Sequence, residues 1–111
     1  MPFEFGDVVL APFPFTNQAA FKQRPAVVVS RRAYNTARPD VVIMPITSQI
    51  GSGSGLGEMT ISEWQRANLL KPSAIKPVFA TLEQRLIIRR LGILQAQDQS
   101  ALRAAIISVI G

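Results

Sequence analysis

Three short apolar runs constrain this chain most: Val8-Val9-Leu10-Ala11, Ala26-Val27-Val28-Val29 and Val41-Val42-Ile43-Met44. Each is dominated by β-branched side chains and bounded by Gly, Pro or a charge, the pattern of a short strand. None alternates cleanly between apolar and polar, so both faces of these strands are expected to be covered. The third run is expected to close at Pro45. Between the first two lies a connection from Thr16 to Gln23, longer than a tight turn and of the kind that carries function.

The rest of the chain adds smaller elements. Gly51-Ser52-Gly53-Ser54-Gly55-Leu56-Gly57 has the composition of a flexible loop. It lacks the lysine and hydroxyl that end a phosphate-binding P-loop, and it reads as either a flap beside a site or a hairpin connection. Glu58 to Ile61 and Ser73 to Lys76 read as further short strands. Thr81-Leu82-Glu83-Gln84 reads as the start of a short helix, with Thr81 as N-cap and Gln84 at the capping-box position. Gln95 to Ile110 is helical in pattern, with Leu102, Ala105, Ile106 and Val109 on one core-facing stripe. Asp98 adds negative charge near the first turn. The expected class is mainly β with a C-terminal α-helix, as a small barrel or strongly bent sheet in one domain over residues 1–111.

Composition excludes several classes of function. With 48% hydrophobic and 17% charged residues the chain is globular rather than disordered. It has no cysteine, which rules out disulfides and cysteine metal sites, and no histidine. The opening Met1-Pro2-Phe3-Glu4-Phe5 has neither the basic patch nor the apolar core of a signal peptide. No apolar run approaches the roughly 20 residues that span a bilayer, so a cytoplasmic protein without membrane contact is expected. The net charge of +5 favours a polyanionic partner such as nucleic acid or an acidic protein tail. A modest surplus kept for solubility would look the same.

Two segments carry candidate chemistry. Arg24-Pro25 puts a fixed positive charge at the mouth of one strand, and Pro45-Ile46-Thr47-Ser48-Gln49 puts a hydroxyl pair at the end of another. Were the strands neighbours, they would form a phosphate site without histidine, cysteine or metal. RNA can be cut by its own 2′-hydroxyl, and a chain without histidine must promote that reaction through positioning and charge stabilisation. The Arg24 guanidinium forks onto two phosphate oxygens and stays charged. The Thr47 and Ser48 hydroxyls can donate to a phosphate oxygen or orient the 2′-hydroxyl. The plainer readings are an exposed charge at a strand start and a Ser/Thr turn cap. Gln49, Lys22 and Lys76 complete the candidate RNA contacts. Phe15 and Phe21 are candidates to stack on unpaired bases, at about 1–3 kcal/mol each. Phe13 reads as packing, and Trp64, beside Arg66, reads as packing before a base stack or a subunit contact.

Taken in order, Gly6 to Phe15, Arg24 to Ser30 and Pro45 to Gln49, followed by Leu70-Lys71-Pro72-Ser73 and Leu91-Gly92, resemble the MazF/PemK toxin family. The resemblance implies an SH3-like barrel of the type shared with CcdB and a homodimer. It implies metal-independent, cofactor-free cleavage of single-stranded RNA at short sequences, leaving a 2′,3′-cyclic phosphate and a 5′-hydroxyl. By resemblance Arg24 and Thr47 are the catalytic pair, and a cognate antitoxin lays an acidic tail over the RNA groove. Asn68 stands where relatives often have glycine, and asparagine tolerates the left-handed turn that glycine would make there. The chain departs from the family in one place. Some members carry an acidic residue after a Ser-x-x-Lys/Arg stretch, whereas Ser73 to Phe79 contains no carboxylate and Glu83 is the next acid. A general base is therefore not evident. This departure keeps two alternatives open: a CcdB-like gyrase poison that is not an enzyme, and a degenerate toxin that binds RNA or antitoxin without cutting.

Overall fold

The structure is a computed structural model and describes residues 2–13, 22–49 and 56–111. Phe15, Phe21 and most of the Gly51–Gly57 segment lie outside the described residues, as does the side chain of Lys22. The three apolar runs form β1 (Asp7–Phe13), β2 (Lys22–Val28) and β3 (Asp40–Thr47). After them come β4 (Met59–Thr60), β5 (Ala74–Ile75), β6 (Ala80–Glu83) and β7 (Arg89–Ile93). A short helix α1 (Arg32–Ala37) separates β2 from β3, and α2 (Ala96–Ile110) ends the chain.

All strand pairs are antiparallel, in the order β4-β5-β3-β2-β1-β7, with β6 also paired to β3. The path does not close on itself among the described residues. With its C-terminal helix it has the β-rich class expected. Both sheet faces are covered, as the unalternating runs imply. Val8, Val27, Met44, Ile46 and Ile75 are buried on one face with Leu94 and Leu102. Val9, Ala11, Ala26, Val28, Val41, Ile43 and Leu82 are buried on the other. On α2, Leu102, Ala105 and Ile106 pack onto the first face, but Val109 is 42% exposed, so the core-facing stripe ends one turn early.

Two expectations are corrected. First, β3 does not close at Pro45 but runs through it to Thr47. One edge of β3 pairs with β6 as far as Ile43 and with β5 from Ile46 onward. Pro45 sits at the changeover, where its missing N–H has no ladder partner to disappoint. Its carbonyl accepts from the Lys76 N–H at 3.0 Å. Second, Thr81 to Gln84 does not start a helix. Residues Ala80–Glu83 are β6, and a 3-10 turn, Gln84–Leu86, follows. Pairing with Asp40–Ile43 and burial of Leu82 override the local capping pattern. Gln84 instead donates its amide to the carbonyls of Asn35 (2.7 Å), Arg38 (3.0 Å) and Asp40 (3.1 Å). Both α1 and β7 come without apolar periodicity. Helix α1 is pinned by the buried Asn35, whose amide donates to Phe3 O at 2.8 Å and Ser30 O at 2.9 Å.

No helix among the described residues is long and apolar enough to cross a membrane.

Candidate active site

The site forms where strand ends meet. Leu10 on β1 is opposite Pro25 on β2 and opposite Arg89 on β7. Across from β2, Ala26 faces Pro45 on β3. The Val29 N–H donates to Val42 O at 2.9 Å, which fixes the alternation of the β2–β3 ladder. Ala26/Pro45 is then a non-hydrogen-bonded pair, the kind whose side chains stand closest. Continued by two residues, the same register sets Arg24 opposite Thr47. The intervening position holds Pro25, which has no N–H to give β3, and the pairing stops at Ala26. Beyond it the strands are no longer laddered together and the cavity opens.

The opposite wall is the segment from Asn68 to Ser73. Asp98, buried on α2, accepts hydrogen bonds from the backbone N–H groups of Ser62 (3.0 Å) and Glu63 (2.8 Å), fixing the turn that leads into this wall. Asn68 adopts the left-handed conformation expected of it, with φ 65°. Its amide donates to Leu91 O on β7 at 2.8 Å. Gly92 permits that approach, since a Cβ there would lie 2.5 Å from the Ala67 carbonyl oxygen. The Ser73 hydroxyl, largely buried, donates to Lys71 O at 2.8 Å.

The result is a cavity of about 500 Å³. Arg24, Thr47, Ser48 and Gln49 line it together, as the sequence suggested, joined by Asn68, Lys71 and Arg89. Leu10, Pro25, Ile46, Leu69 and Leu91 give it an apolar lining. Thr47 is half-buried, and its hydroxyl oxygen accepts the Gln49 N–H at 3.0 Å. That bond fixes the Thr47 side chain and leaves its own proton free to donate into the cavity.

The electrostatics are one-sided. Among the described residues no carboxylate lines the cavity. Five acids pair with cations elsewhere: Glu4 with Arg32, Asp7 with Arg90, Asp40 with Arg38, Glu58 with Lys76 and Glu83 with Arg85. Arg24, Lys71 and Arg89 have no ion pair among the described residues. Lys76 is thus placed outside this cavity, 3.2 Å from Glu58. Lys22 opens β2, and its side chain lies outside the described residues. Lys71 and Arg89 line the cavity although the sequence reading did not place them there, and Asn68, singled out for its backbone, also lines it. For Lys71 a signal existed, since it lies inside the Leu70–Ser73 block. Arg89 had none, because the pairing of β7 with β1 is what brings it in.

The model for PemK-like, MazF-like toxins of type II toxin–antitoxin systems matches residues 4–110. The chain belongs to this family. The family is one of endoribonucleases. Among solved structures, the toxin is similar to MazF (Form-I) from Deinococcus radiodurans, with 22% identity over 100% of this chain and 98% of that one, at a TM-score of 0.77. It is also similar to the toxin MazF-mt6 of Mycobacterium tuberculosis, with 22% identity, coverage of 90% and 91%, and a TM-score of 0.73. A third is an endoribonuclease in complex with its cognate antitoxin from Mycobacterial species, with 16% identity, coverage of 98% and 93%, and a TM-score of 0.73. At these identities the likeness is one of fold. Among curated protein sequences none matches the toxin.

Proposed function

We propose that this toxin is a sequence-specific endoribonuclease that cuts single-stranded RNA without a metal ion, leaving a 2′,3′-cyclic phosphate and a 5′-hydroxyl. The observation that carries the reading is the convergence of Arg24 and Thr47 in one cavity lined, among the described residues, by three cations and no carboxylate. In the reaction the 2′-oxygen bonds to phosphorus while the bond from phosphorus to the 5′-oxygen breaks. The 2′-hydroxyl loses its proton and the 5′-oxygen gains one. Arg24, which lines the cavity, neutralises with its fork the charge that builds on the non-bridging oxygens. Thr47, held by the Gln49 N–H, donates to one of those oxygens, and Ser48 stands beside it. Among the described residues no imidazole or carboxylate lines the cavity, so rate enhancement rests on positioning and charge. The chain has no histidine or cysteine, and among the described residues no cluster of acids could hold a metal.

The partners follow from the same surface. An acidic antitoxin segment would neutralise the cations that attract RNA. Exposed Ile107 and Ile110 on α2 and Leu56 offer apolar surface for a second copy of the chain. Light scattering at micromolar concentration should give a dimer mass. A monomer would count against that part.

The deciding experiment is incubation of the purified toxin with mixed RNA in EDTA, followed by mapping of the fragment ends. Cyclic phosphate and 5′-hydroxyl ends at a recurring short sequence are expected. Cleavage that needs added magnesium would remove metal independence. Intact RNA from a folded protein would favour the two non-cutting readings, a gyrase poison or a toxin that only binds.

A further inference from the structure

The two arginines that open β7 are used in opposite ways. Arg90 is spent on structure: its guanidinium bonds Asp7 Oδ2 at 3.0 Å and lies 5.0 Å from the centre of the Phe3 ring. Arg89 points to the other side of the strand, as alternation requires. It is exposed, has no ion pair among the described residues and lines the cavity. The same contrast separates Lys76, paired with Glu58, from Lys71, which is unpaired and lines the cavity. Like charges gathered around one cavity repel, and a bound anion relieves that repulsion.

One phosphate does not account for all three cations. Arg24 stands beside the hydroxyl end of β3. Arg89 lies on the far side of β1, in the row Pro25–Leu10–Arg89. Two strand spacings put the β2 and β7 backbones about 10 Å apart. The residues between them in that row, Pro25 and Leu10, are apolar and also line the cavity.

We propose that Arg89, with Lys71 from the Asn68–Ser73 wall, forms a second phosphate seat. It holds the phosphate next to the scissile one while the apolar row between takes the intervening nucleoside. This deepens the RNA reading above and rests on it. It assigns the site a substrate of at least one nucleoside flanked by two phosphates. Arg89 and Lys71 are positioning residues, outside the reacting centre.

The test uses ligands that cannot be cut. Binding of a nucleoside 3′,5′-bisphosphate, the matching 3′- and 5′-monophosphates and inorganic phosphate is measured by calorimetry on the intact toxin. The bisphosphate should bind at least about tenfold more tightly than either monophosphate, since it adds one charge-assisted seat. Arg89→Ala with Lys71→Ala should erase that advantage while the melting temperature holds, and Arg89→Lys should restore part of it. Arg90→Ala should lower the melting temperature and keep the preference for two phosphates. Equal affinity for mono- and bisphosphates would overturn the proposal, as would a bisphosphate advantage that survives the double substitution. If RNA stays intact in the end-mapping experiment yet the two-phosphate preference holds, the nuclease reading fails and the second seat stands. If RNA is cut but the preference is absent, the second seat alone fails.

Discussion

Replacing Arg24 by alanine should separate chemistry from stability. The side chain is exposed and has no ion pair among the described residues. Its removal therefore leaves no buried charge without a partner. Surface changes of this kind alter stability by no more than about 0.5 kcal/mol. In a domain of this size that shifts the melting temperature by about 2–4 °C. The effect on rate should be of another order. A preorganised donor aimed at developing charge contributes about a hundredfold to a thousandfold. Single-turnover cleavage at saturating RNA, with thermal melts on the same preparations, measures both quantities. Arg24→Lys should recover little of the rate, because an ammonium lacks the fork that meets two oxygens. A folded Arg24→Ala protein that cuts RNA at the normal rate would refute the assignment of charge stabilisation to this residue.

Three further outcomes follow from the same geometry. Thr47→Ala should slow cleavage about tenfold to a hundredfold, since a donor to the phosphate is lost, and Thr47→Ser should keep most of the rate. Asp98→Ala leaves the Ser62 and Glu63 N–H groups without their carboxylate, and should destabilise by about 3 kcal/mol in denaturant titrations. Asp98→Asn, which keeps one acceptor oxygen, should cost less. Affinity for a non-cleavable single strand should fall with salt at a log–log slope near 2, from about 0.7 for each of the cations Arg24, Lys71 and Arg89 that line the cavity. A flat dependence would point to a protein target.

What the sequence revealed tracks how local each cause is. The strands β1, β2 and β3 were legible because unbroken β-branched runs of that length have few other uses. Asn68 was legible because its backbone conformation is a property of one residue. Thr47 was legible as a strand-end hydroxyl, and its bond to the Gln49 N–H is a contact within two residues. The failures share a non-local cause. Thr81 to Gln84 carries a real capping pattern, but β3, some forty residues earlier, offers an edge that outcompetes it. Pro45 is a breaker in isolation and harmless where β3 changes partners. Arg89 enters the cavity only through the pairing of β7 with Leu10, which no pattern near Arg89 announces.

The two prolines flanking the site show how a ladder can be ended without being broken. On β2, Val28 O accepts the Gly6 N–H from the β1 side, while Val29 N–H turns toward β3. Even-numbered residues of β2 therefore serve β1 and odd-numbered ones serve β3. Pro25 is odd. Its missing N–H costs the β1 ladder nothing, and the pairing continues through Leu10↔Pro25 to Ala11↔Arg24 and beyond. Toward β3 the same absence removes the next bond, and pairing stops at Ala26↔Pro45. Arg24 is thus held firmly on one side and released on the other. On β3, Pro45 faces away from β2 and accepts from Lys76, so the strand still delivers Thr47 to the gap. A rigid sheet and an open cavity normally compete for the same backbone groups. Here each proline gives up a hydrogen bond only on the side where the cavity or the change of partner needs it, which lets Arg24 and Thr47, the proposed catalytic pair, stand at the end of a sheet whose central strands are buried on both faces.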